Sequence, residues 1–127
     1  MRLLMDTNVI IRSVSGTLEK NGADILEDTG NTLYYSPVNI WEIVIKQRTG
    51  KLNMPIEAGI IRQKLEEKGC RELLVTSRHA LATGALAAVN KDPFDRMLVA
   101  QAIVEGLTLI TTDHLLSDYA AEVLTVD

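Results

Sequence analysis

Asp92-Pro93-Phe94-Asp95-Arg96-Met97-Leu98-Val99-Ala100-Gln101-Ala102-Ile103-Val104-Glu105-Gly106-Leu107-Thr108-Leu109-Ile110-Thr111-Thr112-Asp113 reads as one helix handed directly to one strand. Asp92 is a natural N-cap, Pro93 suits the first helical position because its missing N–H would have no partner there, and an acid, Asp95, follows three residues after the cap. The pattern predicts a helix from Pro93 to about Glu105, stopped by Gly106, then a strand over Leu107–Thr111. Asp113 is the expected cap for a turn of helix around Leu115 and Leu116, before a last edge strand from Glu122 to Val126. Leu98, Val99 and Ala102 fall three, four and seven residues after Asp95, so this acid shares the apolar face and is turned to the sheet.

Upstream, Arg2–Met5 is a short apolar run that ends at Asp6-Thr7-Asn8, a buried strand with an acid at its C-terminus. Thr17 to Glu27 carries helical spacing at Leu18, Ile25 and Leu26, and Gly30-Asn31 turns the chain into a second strand at Thr32–Ser36, ended by Pro37. Asn39 to Thr49 reads as a helix closed by Gly50, with Ile40, Ile43, Val44 and Gln47 on one stripe and Glu42 off it. A further amphipathic helix is expected over Pro55–Lys68, a strand over Arg71–Val75, and a helix over His79–Ala87 capped by Ser77. Strands alternating with helices define an α/β fold: one domain, residues 1–127, with a mainly parallel sheet covered on both faces.

Composition agrees. The 127 residues are 46% hydrophobic and 24% charged, ordinary for one globular domain and incompatible with wholesale disorder. The apolar runs are short and broken by charge, and Met1-Arg2-Leu3-Leu4-Met5 lacks the basic, apolar and small-residue order of a leader, so neither membrane insertion nor secretion is expected. One cysteine, Cys70, cannot form an internal disulfide, and two histidines give no zinc-binding spacing, which fits a cytoplasmic protein. The net charge of −4 means that a polyanionic substrate would need local basic groups or bound cations to approach.

In a parallel sheet with crossover helices, strand C-termini and helix N-termini lie along one edge, where open α/β sheets bind ligands. Asp6 ends the first strand, Glu42 lies early in its helix, Asp95 lies in the first turn of its helix, and Asp113 follows the fourth strand, so all four point to that edge. Carboxylates held together raise one another's pKa unless positive charge sits among them. A divalent cation supplies it, and an all-oxygen donor set favours Mg2+ or Mn2+ over zinc. Such an ion polarises a phosphoryl oxygen and orients a water for in-line attack, which is the chemistry of phosphodiester hydrolysis.

Each acid alone also has a structural role: Asp92 and Asp113 as caps contributing about 1 kcal/mol each, Asp95 as a first-turn acid favoured by the helix dipole. Glu42 can pair with Lys46 one turn on, a contact of roughly 0.2–0.5 kcal/mol, and Asp6 can be a turn residue. Thr7, Asn8 and Thr112 either support the acids by hydrogen bonding or cap local turns. Trp41 and Phe94 read as packing groups rather than base-stacking ones, and His79 and His114 as surface or capping residues. Lys46, Lys91 and Arg96 are the basic residues near enough to the acid edge to contact a phosphate.

Leu3-Leu4-Met5-Asp6-Thr7-Asn8, Trp41-Glu42-Ile43 with Lys46 and Gly50-Lys51-Leu52, Asp92-Pro93-Phe94-Asp95-Arg96 with Ala100-Gln101-Ala102, and Gly106-Leu107 through Thr112-Asp113 resemble PIN-domain toxins of the VapC type, in the same order and over nearly the whole chain. Arg71-Glu72-Leu73 and Arg78-His79-Ala80 also resemble one bacterial branch of that family. The resemblance implies a PIN-like three-layer α/β/α fold with a five-stranded, mainly parallel sheet. It implies an endoribonuclease using Mg2+ or Mn2+, a homodimer, and a cognate VapB-like antitoxin that threads a C-terminal segment into the acid edge. Carried over by position, Asp6, Glu42, Asp95 and Asp113 match the acidic quartet, with Thr7 or Thr112 as supporting hydroxyls. Two positions depart: Asn8 stands where many relatives of this branch carry histidine, and Arg12-Ser13 where an aromatic residue is common.

Two other readings differ in class. One is a non-catalytic module that keeps the fold and binds RNA or protein; the intact quartet speaks against it. The other is a haloacid-dehalogenase-like phosphatase with Asp6 as nucleophile, but that chemistry expects a second Asp two residues on, where Asn8 stands.

Overall fold

A computed structural model describes residues 1–127. Five strands, β1 (Arg2–Met5), β2 (Thr32–Tyr35), β3 (Arg71–Glu72), β4 (Thr108–Thr111) and β5 (Val123–Thr125), form one sheet in the order β3-β2-β1-β4-β5. All four pairings are parallel, with Leu4 opposite both Tyr34 and Leu109. The N-terminal strand is therefore the central one, and the chain winds outward from it in both directions.

Six α-helices cover the sheet: α1 (Thr7–Ser15), α2 (Lys20–Glu27), α3 (Pro37–Arg48), α4 (Ala58–Glu67), α5 (Ser77–Ala82) and α6 (Pro93–Glu105). Alternation along β1 separates two cores. Leu3 and Met5 join Val9, Ile10, Ile43, Ile61 and Leu65 on one face, whereas Leu4 joins Leu98, Val99, Ala102, Leu109 and Leu116 on the other. α3 contributes Ile43 to the first and Val38 to the second, and so bridges the two layers. The result is the three-layer α/β/α architecture expected, with helices on both faces of a wholly parallel sheet.

The helix–strand–turn–strand order over 92–125 is as expected. Asp92 caps α6 by accepting from the N–H groups of Phe94 and Asp95, and Gly106 ends it at φ 66°. Asp113 caps a 3-10 turn over His114–Asp118. The differences are local. α1 was not expected: Asp6 is its N-cap, accepting from the Thr7 N–H, and Gly16 closes it at φ 72°. α4 begins at Ala58 rather than Pro55, β3 keeps only two residues of the expected Arg71–Val75, and α5 is capped by Thr76 instead of Ser77. His79 joins that cap, its Nδ1 accepting from the Thr76 N–H, and is wholly buried rather than at the surface. Nε2 faces Glu105 at 3.2 Å, which ties α5 to α6.

Candidate active site

Asp6 leaves the central strand at the point where β1 and β4 still pair, its N–H donating to the Ile110 carbonyl at 2.9 Å. The carboxylate is buried. Oδ1 accepts from the Thr7 N–H at 2.8 Å and Oδ2 from the Thr111 hydroxyl at 2.7 Å. Burial pushes its pKa up, the bonds from Thr111 and Thr7 oppose that, and the neighbouring Glu42 and Asp113 push it further up.

Glu42 reaches the same place from the second turn of α3. Ser36 caps that helix, accepting from the Val38 N–H at 3.1 Å, while Asn39 Oδ1 accepts from the Ser36 N–H at 2.7 Å. Asn39 Nδ2 donates to the Met5 carbonyl at 3.1 Å and to Thr7 Oγ1 at 3.0 Å. One buried amide thus fastens the start of α3 to the end of β1. Glu42, three residues on, shares its face. Its Oε2 lies 2.8 Å from Lys46 Nζ, and its Oε1 is buried with no hydrogen-bond partner.

Asp95 sits in the first turn of α6 and accepts from Asn90 Nδ2 at 3.0 Å. Its pKa is raised to about 7, chiefly by burial and then by the charges of Asp6, Asp92 and Glu42, with the Asn90 bond pulling the other way. Partial burial alone would lower the Lys46 pKa, but the pairing with Glu42, reinforced by Asp92 and Asp6, outweighs it and raises the ammonium instead.

The fold therefore brings Asp6, Glu42 and Asp95 within one another's field, and Asp113 within that of Asp6. Asp113 is partly engaged elsewhere: Oδ1 accepts from the Leu115 N–H at 2.9 Å, and its own N–H donates to Thr111 Oγ1 at 2.9 Å. The Glu42–Lys46 pair and the placement of Glu42 among the acids, posed by the sequence as alternatives, are both present.

The supporting residues need correction. Thr7 is buried and hydrogen-bonded within the site, but Asn8 projects to solvent on the outer side of α1. The hydroxyl that holds Asp6 is Thr111, not Thr112. The β1–β4 register, Met5 opposite Ile110, sets Thr111 beside Asp6, and a sequence without the register cannot choose between adjacent threonines. Arg96 is not free for phosphate. Its guanidinium donates to the carbonyls of Thr83, Leu86, Ala87 and Asn90 and to the Tyr119 hydroxyl, which fastens the 83–90 segment to α6. Lys91 is exposed beside Asp92. Asn39, Asn90 and Tyr119 also take part in the site, a role the sequence does not assign them; the Ser36-Pro37-Val38-Asn39 spacing, an amide in the capping-box position, is the one local signal that points to it. Trp41 and Phe94 pack edge to face at 5.1 Å, although Trp41 remains 61% exposed.

A family model described as PIN domain matches residues 3–122. The chain belongs to the PIN domain family, and the phosphatase reading falls away. No curated protein sequence matches it. The fold is shared with VapBC2 from Rickettsia felis bound to a promoter DNA fragment, at TM-score 0.78 and 14% identity over 100% of both chains. DNA-bound VapBC from Salmonella typhimurium gives 0.73 and 15% over 98% of each chain. A toxin–antitoxin complex from Klebsiella pneumoniae gives 0.69 and 21% over 97% of this chain and 96% of the other. At these identities the likeness is one of fold.

The acids suit a divalent cation by their chemistry: the donors are all oxygen, their charges oppose one another, and Glu42 Oε1 is buried with nothing to bind. As the side chains stand, no three of the His, Cys, Asp and Glu groups close round an ion, and Lys46 supplies the positive charge next to Glu42.

Proposed function

We propose that this PIN domain is a metal-dependent endoribonuclease, the toxin of a VapC-type toxin–antitoxin pair, working in the cytoplasm as a homodimer. The observation that supports it most is that Asp6, Glu42 and Asp95, from three separate elements, share one electrostatic environment, the first two buried and Asp95 half-buried, in which Glu42 Oε1 lacks any partner. Carboxylates are held in such repulsion at functional sites rather than for stability.

Asp6, Glu42 and Asp95 would hold Mg2+ or Mn2+, with Asp113 completing the acidic edge. The cation would supply Lewis acidity toward a phosphodiester and favour deprotonation of the attacking water. The chain's own groups do the rest. Thr111 and the Thr7 N–H fix both oxygens of Asp6. The Thr7 hydroxyl accepts from Asn39 and keeps its own proton available to an incoming oxygen. Asn90 holds Asp95 Oδ2, which leaves the other oxygen of that carboxylate for the cation. Lys46, once Glu42 is shared with a cation, and the exposed Lys91 offer positive charge to the RNA backbone, which the net charge of −4 does not.

A VapB-like antitoxin is the proposed partner. A cavity of about 520 Å³ opens between α1, α2 and α4, lined by Ile10, Leu18, Leu26, Leu33 and Leu65 with Arg12 and Lys68 at its rim, and suits an amphipathic segment of such a protein. The deciding experiment is cleavage of a labelled total-RNA pool by antitoxin-free protein with Mg2+, Mn2+ or EDTA, beside an Asp6→Asn/Asp95→Asn variant. Metal-dependent cuts that vanish in the variant support the nuclease; no cleavage with either metal would leave a non-catalytic binding module.

A further inference from the structure

The 2.6 Å hydrogen bond between the Tyr119 hydroxyl and Asn90 Oδ1 has a determined direction. Tyr119 Oη also receives the Asn90 backbone N–H at 3.3 Å and Arg96 Nη1 at 3.3 Å. A backbone amide and a guanidinium only donate, so both lone pairs of the phenol are taken and its proton goes to Asn90 Oδ1. That bond fixes the amide orientation: Nδ2 is turned to Asp95 Oδ2 at 3.0 Å, and the flipped amide would present oxygen to a carboxylate. Tyr119 is 4% exposed, and Arg96 is held by four carbonyls of the 83–90 segment, so the donor end of the chain is anchored.

We propose that Arg96, Tyr119 and Asn90 form a positioning relay for Asp95, which pins Oδ2 and leaves Oδ1 free toward the acid cluster. The proposal rests on the metal-nuclease reading for its consequence, though not for its geometry. None of the three touches substrate or cation. They act through Asp95, and the residue next to it on α6, Arg96, closes the chain back onto the same helix turn. Such supporting bonds to ligating carboxylates typically change metal affinity 10–100-fold when removed.

Tyr119→Phe, Asn90→Leu and the double variant test it. Tyr119→Phe keeps the buried ring and deletes the hydroxyl, and with it both the proton that orients the amide and the oxygen that accepts from the Asn90 N–H and Arg96 Nη1. In the metal-free protein the two Asn90 side-chain amide protons are expected to give separate, shifted NMR signals that move toward free-amide values in Tyr119→Phe. Titration calorimetry with Mn2+ is expected to show about 10-fold weaker binding in each single variant, with the double variant no worse than the weaker single. Unchanged amide signals and unchanged Mn2+ affinity overturn the relay, even if denaturation midpoints fall, because a purely structural role lowers stability alone. Wild-type protein that neither binds Mn2+ nor cuts RNA overturns the nuclease reading instead, and the amide signals then decide the relay by themselves.

Discussion

Lys46 Nζ stands 2.8 Å from Glu42 Oε2, while the other oxygen of the same carboxylate is buried with no partner. The pair is lopsided: Lys46 remains one-third exposed and Glu42 is almost wholly enclosed. Loss of the lysine therefore strands a buried charge, whereas loss of the glutamate's charge leaves an ammonium that water can reach. Lys46→Met is expected to destabilise the metal-free protein by about 2 kcal/mol, and Glu42→Gln in the same background to recover most of it. Urea midpoints of the two single variants and the double decide this; equal and additive losses would refute it.

Asp95 makes the metal-free fold less stable as pH rises. With its pKa raised to about 7, the folded protein holds a proton that the unfolded chain releases near the ordinary carboxylate value, so stability falls between about pH 4 and pH 7. Burial raises Asp6 as well and acts in the same direction. Asp95→Asn is expected to stabilise the protein at pH 8 relative to wild type and to do little at pH 4. Asp95 is only half-buried, so solvent screening holds the gain to about 1 kcal/mol. Denaturation of both proteins at the two pH values gives the difference directly.

Metal binding carries the complementary dependence. A cation at Asp95 has to displace that proton, so Mn2+ affinity is expected to rise with pH and level off above about pH 7. Calorimetric titrations in buffers of different ionisation heat would register the released proton. An affinity flat from pH 5 to pH 8 would place the cation away from Asp95.

Adjacent threonines are expected to behave differently. Thr111→Val removes the hydroxyl that donates to Asp6 and accepts from the Asp113 N–H, and is expected to weaken Mn2+ binding and RNA cleavage by about 10-fold or more. Thr112→Val is expected to leave both within about 2-fold, since Thr112 makes no bond to the acids. Reversal of the two outcomes would return the supporting role to Thr112.

Asn39 carries its three bonds in complete burial. Asn39→Leu leaves the Ser36 N–H and the Met5 carbonyl without partners, and is expected to cost about 3 kcal/mol. Thermal unfolding gives the loss; a Tm within a degree or two of wild type would show that α3 is held to β1 by packing alone.

Much of this was legible in the chain because local signals and burial agreed. Asp92-Pro93 at one end and Gly106 at the other fix α6 without help from the rest of the molecule, and the apolar run from Leu3 to Met5 leaves little choice for β1. The edge position of the four acids follows from parallel topology alone. α1 was obscured for a physical reason. Val9-Ile10-Ile11 is β-branched and its turn-like opening, Asp6-Thr7-Asn8, doubles as a helix cap, so the helix owes its existence to the burial of Val9 and Ile10 under the sheet. Asp6 and Gly16 together were the cap pair that marked it. The site's supporting bonds were hidden because they cross the sequence: Thr111 to Asp6, Asn39 to Met5, Tyr119 to Asn90. Arg96 looked like a free cation beside an acidic edge, but carbonyls from an irregular segment, which no periodicity reports, had taken its donors.

The Thr111–Asp6 bond joins residues 105 apart, and β1 cannot complete its pairing until β4 arrives. Until β4 is in place, Asp6 has neither the hydroxyl that orients it nor the strand that buries it. The acidic centre is thus a joint product of the two ends of the domain and comes into being only with the folded sheet.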